Sequence, residues 1–266
     1  MKIVFDCFPE GKRKALTLSY DDGREQDRRL IEILNAAGIR GAFHLNSSNL
    51  GKPGYVERSE VGTLYAGHEI SAHTATHPFL TRSPADRIAD EVLRDREQLE
   101  RLAGYPVKGM SYPYGAWNDR VVGMLPALGI EYARTTICHG RFDMPDELLA
   151  WSPTCHHRDM LAVGQRFLDD RPRHSAMSLL YVWGHSYEFD NQGNWADLER
   201  FCESIGGRPD IWYATNMELA QYRKALHDLR FSVCGTIVHN PSALAVWFSA
   251  DGEIVAVKPG ETMQIQ

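Results

Sequence analysis

Short apolar runs alternate with amphipathic segments along most of the chain, and this alternation limits the fold more than any other feature of the sequence. The run ALTLSY (15–20) has the character of a strand, and REQDRRLIEILNAAG (24–38) has the apolar spacing of a helix. The same alternation returns in SLLYVWGH (178–185) and NMELAQYRKALHDL (216–229). No glycine-rich nucleotide fingerprint accompanies it. The pattern predicts the α/β class, with a parallel sheet closed or nearly closed into a barrel.

The last segment of the chain changes character and is rich in strand-forming residues. Three stretches there predict strands: FSVCGTIVHN (231–240), ALAVWFSADG (243–252) and EIVAVKPGE (253–261). Turns are expected at Asn240–Pro241 and Asp251–Gly252. We therefore divide the 266 residues into a barrel over 1–228 and a small β-rich C-terminal appendage over 229–266 that packs on the barrel.

Composition and charge narrow the classes of partner. The net charge is −6 and the lysines and arginines do not cluster, which argues against a nucleic-acid or membrane surface. The five cysteines form no Cys-x-x-Cys pair, and residues 1–18 lack the apolar stretch of a signal peptide. We therefore expect free thiols and a cytoplasmic protein, whereas the sequence leaves open whether the chain forms a homo-oligomer.

Two groups of metal-ligating side chains follow predicted strands. Asp21 and Asp22 are adjacent carboxylates after the first strand, and His73 and His77 lie four residues apart after a later one. Pro78 disfavours a helix at His77, so we expect this pair on a loop. Loops after the strands gather at one end of an α/β barrel, where two histidines and a carboxylate would match a catalytic zinc site. Solvated loop histidines and a surface Asp-Asp-Gly turn are the alternatives. Four further histidines have no metal-like spacing: His139, His174, His227 and His239.

Four motifs, taken in order, carry a resemblance to a known family. They are LSYDDG (18–23), GHEISAHTATH (67–77), SYPYG (111–115) and YVWGH (181–185). Together they resemble the successive motifs of the polysaccharide deacetylases, the NodB-homology or carbohydrate esterase family four, over residues 15–215. The resemblance implies a distorted (β/α) barrel and a hydrolase of carbohydrate metabolism that acts on non-peptide carbon–nitrogen bonds.

The resemblance also assigns roles to particular residues. It implies three metal ligands: Asp22, His73 and His77. The metal would be one divalent ion, zinc first, with cobalt, nickel and manganese as alternatives. Asp21 would be the general base on a metal-bound water, and the backbone N–H of Tyr114 would stabilise the oxyanion. His185 would protonate the leaving amine, so that the enzyme removes an N-acetyl group from a sugar or oligosaccharide.

The first departure from the family pattern concerns the charge beside the general base. Ser111 stands where the motif R-x-P-Y-G has an arginine. Removing a cationic neighbour should raise the pKa of Asp21. We therefore expect a raised pKa at Asp21 unless another group, such as Arg24 or His157, takes the place of the arginine.

The other departures concern substrate binding. The motif D-x-x-D-W is absent, and WSPTCHHRD (151–159) offers a histidine pair that either reaches the mouth of the pocket or forms hydrogen bonds within its loop. Trp183 is either a wall for stacking a sugar or a core residue. Glu188 either holds sugar hydroxyls or orients His185. The candidate substrate contacts are Trp183, Tyr112, His156, His157 and Glu188.

Three other functions are compatible with these residues. Hydrolysis of another carbon–nitrogen bond, in a cyclic amide or ureide, would use the same groups. An iron oxygenase could use two histidines and one carboxylate, but it would not need Asp21 or His185. A non-catalytic metal-containing carbohydrate-binding protein would keep the barrel without turnover. The departures leave the substrate open, and the expected cytoplasmic location argues against intact wall polymer. It favours a soluble N-acetylated mono- or oligosaccharide, or a nucleotide- or lipid-linked sugar.

Overall fold

The computed structural model describes residues 1–171 and 177–265. Strands β1 to β14 span, in chain order, Ile3–Val4, Lys14–Asp22, Gly41–Leu45, Glu69–Ala72, Gly109–Ser111, Tyr132–Arg134, Cys155–His156, Ser178–Gly184, Ile211–Tyr213, Arg230–Phe231, Ile237–His239, Val246–Ala250, Glu253–Val257 and Thr262–Gln264. Helices α1 to α8 span Asp27–Ala36, Val61–Leu64, Ala85–Ala103, Asp119–Met124, Met160–Asp169, Tyr187–Gln192, Trp195–Ile205 and Asn216–His227. Strands and helices alternate over most of the chain from β2 to α8, as the sequence pattern predicts, except that β7 follows β6 and α7 follows α6 directly.

The centre of the molecule is a curled, parallel sheet flanked by helices. Seven strands pair in the order β6-β5-β4-β3-β2-β8-β7, and β9 pairs with the first residues of β2. Every pairing in this sheet is parallel. The predicted α/β class and distorted (β/α) barrel are confirmed, and the sheet has the form of a half-barrel.

Strand β2 lies at the centre because its sequence can be buried on both faces. Its residues are buried from Lys14 through Asp21, as expected for an apolar strand of a covered parallel sheet. One edge of β2 pairs with β8, and the other edge is shared by β9 and then β3. Because two strands share one edge, the sheet departs from a regular barrel.

Helix α5 is an element that the alternation of apolar and amphipathic segments does not predict. Gly164 interrupts its otherwise apolar and polar spacing, and glycine is a poor helix former. The packing explains this glycine, because a Cβ atom at position 164 would lie 2.8 Å from Cε2 of Phe201 on α7. The residue that weakens the local signal is therefore one that lets α5 approach its neighbour.

The β-rich tail forms two small antiparallel sheets. One has the order β10-β11-β14, and the other has the order β1-β12-β13. The second sheet takes a strand from the N-terminus, because Ile3 pairs with Ala250 and Val4 with Ser249. Its apolar residues pack with Leu226 of α8. The appendage predicted from the sequence over 229–266 therefore also contains the N-terminal strand β1.

Two further properties bear on the sequence-based expectations. The five cysteines are present as free thiols. Within the described parts of the chain, no helix combines the length and apolar character needed to cross a membrane.

Candidate active site

Neighbouring strands end at one edge of the half-barrel, and side chains from their ends form a cluster. Asp21 and Asp22 end β2, His73 follows β4, Ser111 ends β5 and His185 follows β8. Parallel strands bring their carboxyl ends to the same side of a sheet. Residues that are far apart in the sequence therefore converge at this edge.

Asp22, His73 and His77 form a group that could hold a metal ion. His73 Nε2 lies 3.6 Å from Asp22 Oδ1, and His77 Nε2 lies 3.9 Å from the same oxygen. The three donor atoms all lie within 4.8 Å of one another. His73 Nδ1 donates to the carbonyl of Ser111 at 2.9 Å, which leaves Nε2 unprotonated toward Asp22. Two imidazoles and one carboxylate in this arrangement fit zinc or a similar divalent ion.

The backbone around these residues is held in uncommon conformations. Positive φ angles occur at Asp22 (81°), Thr74 (65°), His77 (61°) and Tyr114 (59°). For residues other than glycine such conformations cost about 1–3 kcal/mol each and persist only where the surroundings impose them. Thr74 Oγ1 accepts the N–H of His77 at 3.2 Å, so the loop after β4 is shaped by its own side chains. As Pro78 predicts, His77 lies outside any helix.

Asp21 is buried and surrounded by donors. The guanidinium of Arg134 forms an ion pair with Oδ2, and the hydroxyl of Ser111 donates to Oδ1 at 3.1 Å. Burial alone would raise the pKa of Asp21, but Arg134 and the nearby histidines outweigh it and hold the pKa well below its usual range. His44 lies 3.5 Å from Oδ1, and burial lowers its own pKa to about 3, which keeps this ring neutral.

The pKa of Asp21 is therefore not raised, because the exception that the sequence analysis allowed applies: another group takes the place of the missing arginine. Arg134, at the end of β6, supplies the cation that position 111 lacks. Neither proposed substitute does so, because Arg24 lies against Tyr55 and Tyr187, and His157 lies beside Glu188. The sequence did contain a signal, since Arg134 is a charged residue inside the strand-like run EYARTT (131–136). In the structure it is fully buried. A buried arginine needs a buried partner, which its own strand does not supply.

His185 lies within electrostatic range of Asp21 and Asp22 and contacts Glu188. Its Nδ1 is 3.5 Å from Glu188 Oε1. The other oxygen, Oε2, lies 3.1 Å from His156 Nε2 and 2.9 Å from His157 Nε2. Burial would raise the pKa of Glu188, but the three histidines hold it below its usual range. Burial opposes a charge on His185, but Glu188, Asp21 and Asp22 outweigh it and raise its pKa.

The histidine pair of the 151–159 segment contacts Glu188. His156 and His157 are both buried. The ring of His157 rests on Gly184, where an added Cβ would lie 2.2 Å from its Nδ1. These contacts favour the alternative of interactions within the protein, and contact of the two residues with substrate stays a prediction. Glu188, predicted to hold sugar hydroxyls or to orient His185, lies where it can orient the ring.

His156, His157 and Glu188 also have donor atoms close enough to be considered as a second metal-ligand group. His156 Nδ1 accepts from the backbone N–H of Arg158 at 3.3 Å and from its Nε at 3.2 Å. The ring proton is thereby fixed on Nε2, which faces Glu188. A protonated nitrogen cannot bind a metal, so charge pairing with Glu188 accounts for this group better.

Aromatic residues near the metal-ligand group divide into exposed and buried ones. Tyr114 is 58% exposed, contacts His77 with ring centroids 4.4 Å apart and stacks on Phe79 at 3.9 Å. Tyr112 is buried and its hydroxyl donates to the carbonyl of Leu149, whereas its contact with substrate stays a prediction. Trp183 is half-buried, with its Nε1 donating to Cys138. The sequence analysis did not single out Phe79. His174 lies outside the described residues.

The fold and this cluster define a parallel half-barrel protein with a candidate metal centre at the carboxyl ends of its strands. Residues 9–133 match the family model described as polysaccharide deacetylase. This match confirms the resemblance to that family over residues 9–133, the range that contains the first three of the four motifs.

Two curated relatives and one solved structure are also similar to this chain. Peptidoglycan-N-acetylglucosamine deacetylase PgdA of Listeria monocytogenes is 29% identical over 117 residues, which are 42% of this chain and 24% of that protein. A peptidoglycan-N-acetylglucosamine deacetylase of Bacillus cereus is 31% identical over 106 residues, 39% of this chain and 37% of that protein. The chain thus spans well under half the length of these relatives. A crystal structure described as a putative polysaccharide deacetylase from Mycobacterium smegmatis superposes with a TM-score of 0.64 at 17% identity, covering 85% of this chain and 96% of that one, and shows the same fold.

Proposed function

We propose that this protein is a metal-dependent hydrolase that removes an N-acetyl group from a sugar or oligosaccharide. The observation that carries the proposal is the position of Asp21. Its buried carboxylate lies 3.8 Å from Nε2 of His73, a member of the metal-ligand group. It is also close enough to His185 for its charge to raise the pKa of that ring. A proton acceptor, a metal site and a proton donor are thereby gathered at one edge of the sheet. The names of the Listeria and Bacillus relatives support an acetylated sugar as the substrate.

The metal would be held by Asp22, His73 and His77, with zinc as the first choice and cobalt, nickel or manganese as alternatives. When bound, it supplies Lewis-acid chemistry, because a divalent ion polarises a carbonyl group and makes water more acidic. The hydrogen bond from His73 Nδ1 to Ser111 fixes the ring orientation that such a ligand needs.

Asp21 would accept the proton of the attacking water. Its ion pair with Arg134 keeps it ionised, so that it is available as an acceptor at neutral pH. A carboxylate with a low pKa is a weak base, and it suffices only where the water has been made more acidic. The hydroxyl of Ser111 donates to Oδ1 and orients the carboxylate.

His185 would donate a proton to the leaving nitrogen. Its Nδ1 faces Glu188, which leaves Nε2 as the atom for the substrate. The raised pKa of His185 increases the protonated fraction near neutral pH. An amine is a poor leaving group unless it is protonated, so this proton is essential to cleavage of the carbon–nitrogen bond.

The backbone N–H of Tyr114 would stabilise the oxyanion, and the exposed ring of Tyr114 would lie against the sugar. The positive φ of Tyr114 turns its peptide away from a regular strand or helix. Stacking on Phe79 fixes the ring beside His77. A pre-oriented aromatic face next to the metal-ligand group suits the apolar face of a pyranose ring.

Metal removal tests the proposal. We expect zinc-loaded protein to release acetate from N-acetylated sugars, to lose this activity on chelation and to regain it when zinc returns. His77→Ala should weaken zinc binding by about 10-fold or more, because one of three protein ligands is lost. His239→Ala is the matched control, since His239 lies in the tail and bonds to Thr262. Acetate release that survives complete removal of metal would contradict the proposal.

A further inference from the structure

Arg24 is a cation at the rim of the proposed site that forms no ion pair within the described parts of the chain. It lies two residues after Asp22, in the segment between β2 and α1. Two other arginines nearby on α1 do have carboxylate partners: Arg28 is paired with Glu60, and Arg29 with Glu199. Arg24 has aromatic neighbours instead, and its Nε is buried without a hydrogen-bond partner.

Two tyrosines hold the guanidinium of Arg24 in place. Its Cζ lies 4.4 Å from the ring centre of Tyr55 and 5.3 Å from that of Tyr187. The backbone beneath it is also fixed, because Glu25 N–H donates to the carbonyl of Gly54 at 3.1 Å and Val56 N–H donates to the carbonyl of Gly23 at 3.0 Å. Stacking occupies the faces of a guanidinium and leaves the N–H edge for a planar anion.

Tyr187 connects Arg24 with the catalytic side of the site. Its ring centre lies 5.2 Å from that of His185, two residues earlier in the chain. The hydroxyl of Tyr187 is close enough to Asp22, Glu188 and Arg24 for their charges to shift its pKa. The ring of Tyr187 therefore lies close to both the guanidinium of Arg24 and the proposed proton donor, His185. Asp21 has its own counter-charge in Arg134, so Arg24 is not needed to neutralise it.

We propose that Arg24 forms an anion subsite, and that the substrate is an N-acetylated sugar carrying a carboxylate or a phosphate. This inference rests on the proposed function for the reaction but on separate residues for the subsite. A guanidinium that is already fixed loses little side-chain freedom when it binds, so its hydrogen bonds to an anion retain most of their strength. The anionic group would lie at the rim while the acetamido group lies at the metal-ligand group.

The test compares sugars that differ in charge. Calorimetry would measure the binding of three N-acetylated sugars to the zinc-loaded protein: N-acetylglucosamine, N-acetylglucosamine 6-phosphate and N-acetylmuramic acid. The methyl ester of N-acetylmuramic acid serves as a neutral sugar of nearly the same shape. We expect one of the two anionic sugars to bind at least about 10-fold more tightly than its neutral counterpart. The sugar that does so distinguishes a phosphate from a carboxylate as the recognised group.

Variants separate Arg24 from general electrostatic attraction. Arg24→Gln should remove the preference for the anionic sugar, and Arg24→Lys should retain part of it, because lysine keeps the charge but loses the planar pair of donors. Arg29→Gln is the matched control: Arg29 also lies over an aromatic ring, 4.6 Å from the centre of Trp195, but it has a carboxylate partner. Thermal unfolding of each variant would establish that it is folded. If Arg24→Gln does not fold, the partial loss of preference expected in Arg24→Lys still tests the subsite.

Acetate release measured in parallel separates the two proposals. If no sugar releases acetate but the Arg24-dependent preference in binding is present, the deacetylase proposal fails and the subsite stands. Equal binding of charged and neutral sugars by the wild type would overturn the subsite, even if acetate is released. A preference that survives in Arg24→Gln would also overturn it.

Discussion

Arg134→Met is expected to destabilise the metal-free protein by about 3–5 kcal/mol at pH 7, because it leaves the buried carboxylate of Asp21 without its cation. In the wild type the pKa of Asp21 is below its ordinary value of 3.8, so the stability that the pair contributes is present above that value and is lost as the pH falls further. In the variant, burial acts without Arg134 and raises the pKa. The deficit relative to wild type should therefore shrink as the pH is lowered from 7, which urea unfolding at several pH values would measure.

Two further variants make this expectation specific to the buried charge. Adding Asp21→Asn to Arg134→Met should recover much of the lost stability, because the unpaired charge is removed. Arg28→Met breaks an exposed pair with Glu60 and should cost less than about 1 kcal/mol. If Arg134→Met lowers the free energy of unfolding no more than Arg28→Met does, the ion pair between Arg134 and Asp21 does not stabilise the fold as expected. The same follows if adding Asp21→Asn restores no stability.

His185→Gln is expected to lower kcat for an N-acetylated sugar by about 10²- to 10⁴-fold, since the leaving amine would lack its proton donor. The effect should depend on the leaving group. An aryl acetate expels a phenolate that needs no proton, so its hydrolysis should fall by less than about 10-fold in the same variant. Steady-state kinetics with both substrates, at equal zinc content, would measure the difference.

The comparison of substrates distinguishes a proton donor from a residue that only shapes the site. His239→Gln, in the tail, is the control for the loss of a histidine elsewhere. An equal loss on both substrates in His185→Gln would indicate a general disturbance of the site and would contradict the role of general acid.

The sequence predicts the sheet and one group of ligands because both depend on local patterns. Alternation of strands and helices is visible in segments of 10 to 20 residues, and it fixes which chain ends lie on the same side of a parallel sheet. Asp22 ends β2, and His73 and His77 follow β4, which is separated from β2 only by β3, so their convergence at one edge of the sheet follows from the fold class. Their assignment as metal ligands came from the family resemblance and still awaits a binding measurement.

The partners of the catalytic candidates could not be predicted, because they depend on packing between distant segments. Arg134 and Asp21 are 113 residues apart in the sequence and meet only when β6 and β2 lie in the same curled sheet. Glu188 contacts two histidines from β7 and the turn that follows it, and this short strand gives almost no sequence signal. Tyr112 is buried, and the sequence could not predict this, because an aromatic ring can equally belong to a core or to a binding surface.

The most direct test of the account is acetate release from N-acetylated sugars by wild-type and Asp21→Asn proteins loaded with equal zinc. Asparagine keeps the shape of the side chain but cannot accept the proton. We predict that the wild type releases acetate and that the variant is slower by at least about 10²-fold, with its zinc content unchanged. Acetate release by the variant at a rate close to that of the wild type would contradict the central role of Asp21. Release by neither protein would contradict the proposed reaction itself.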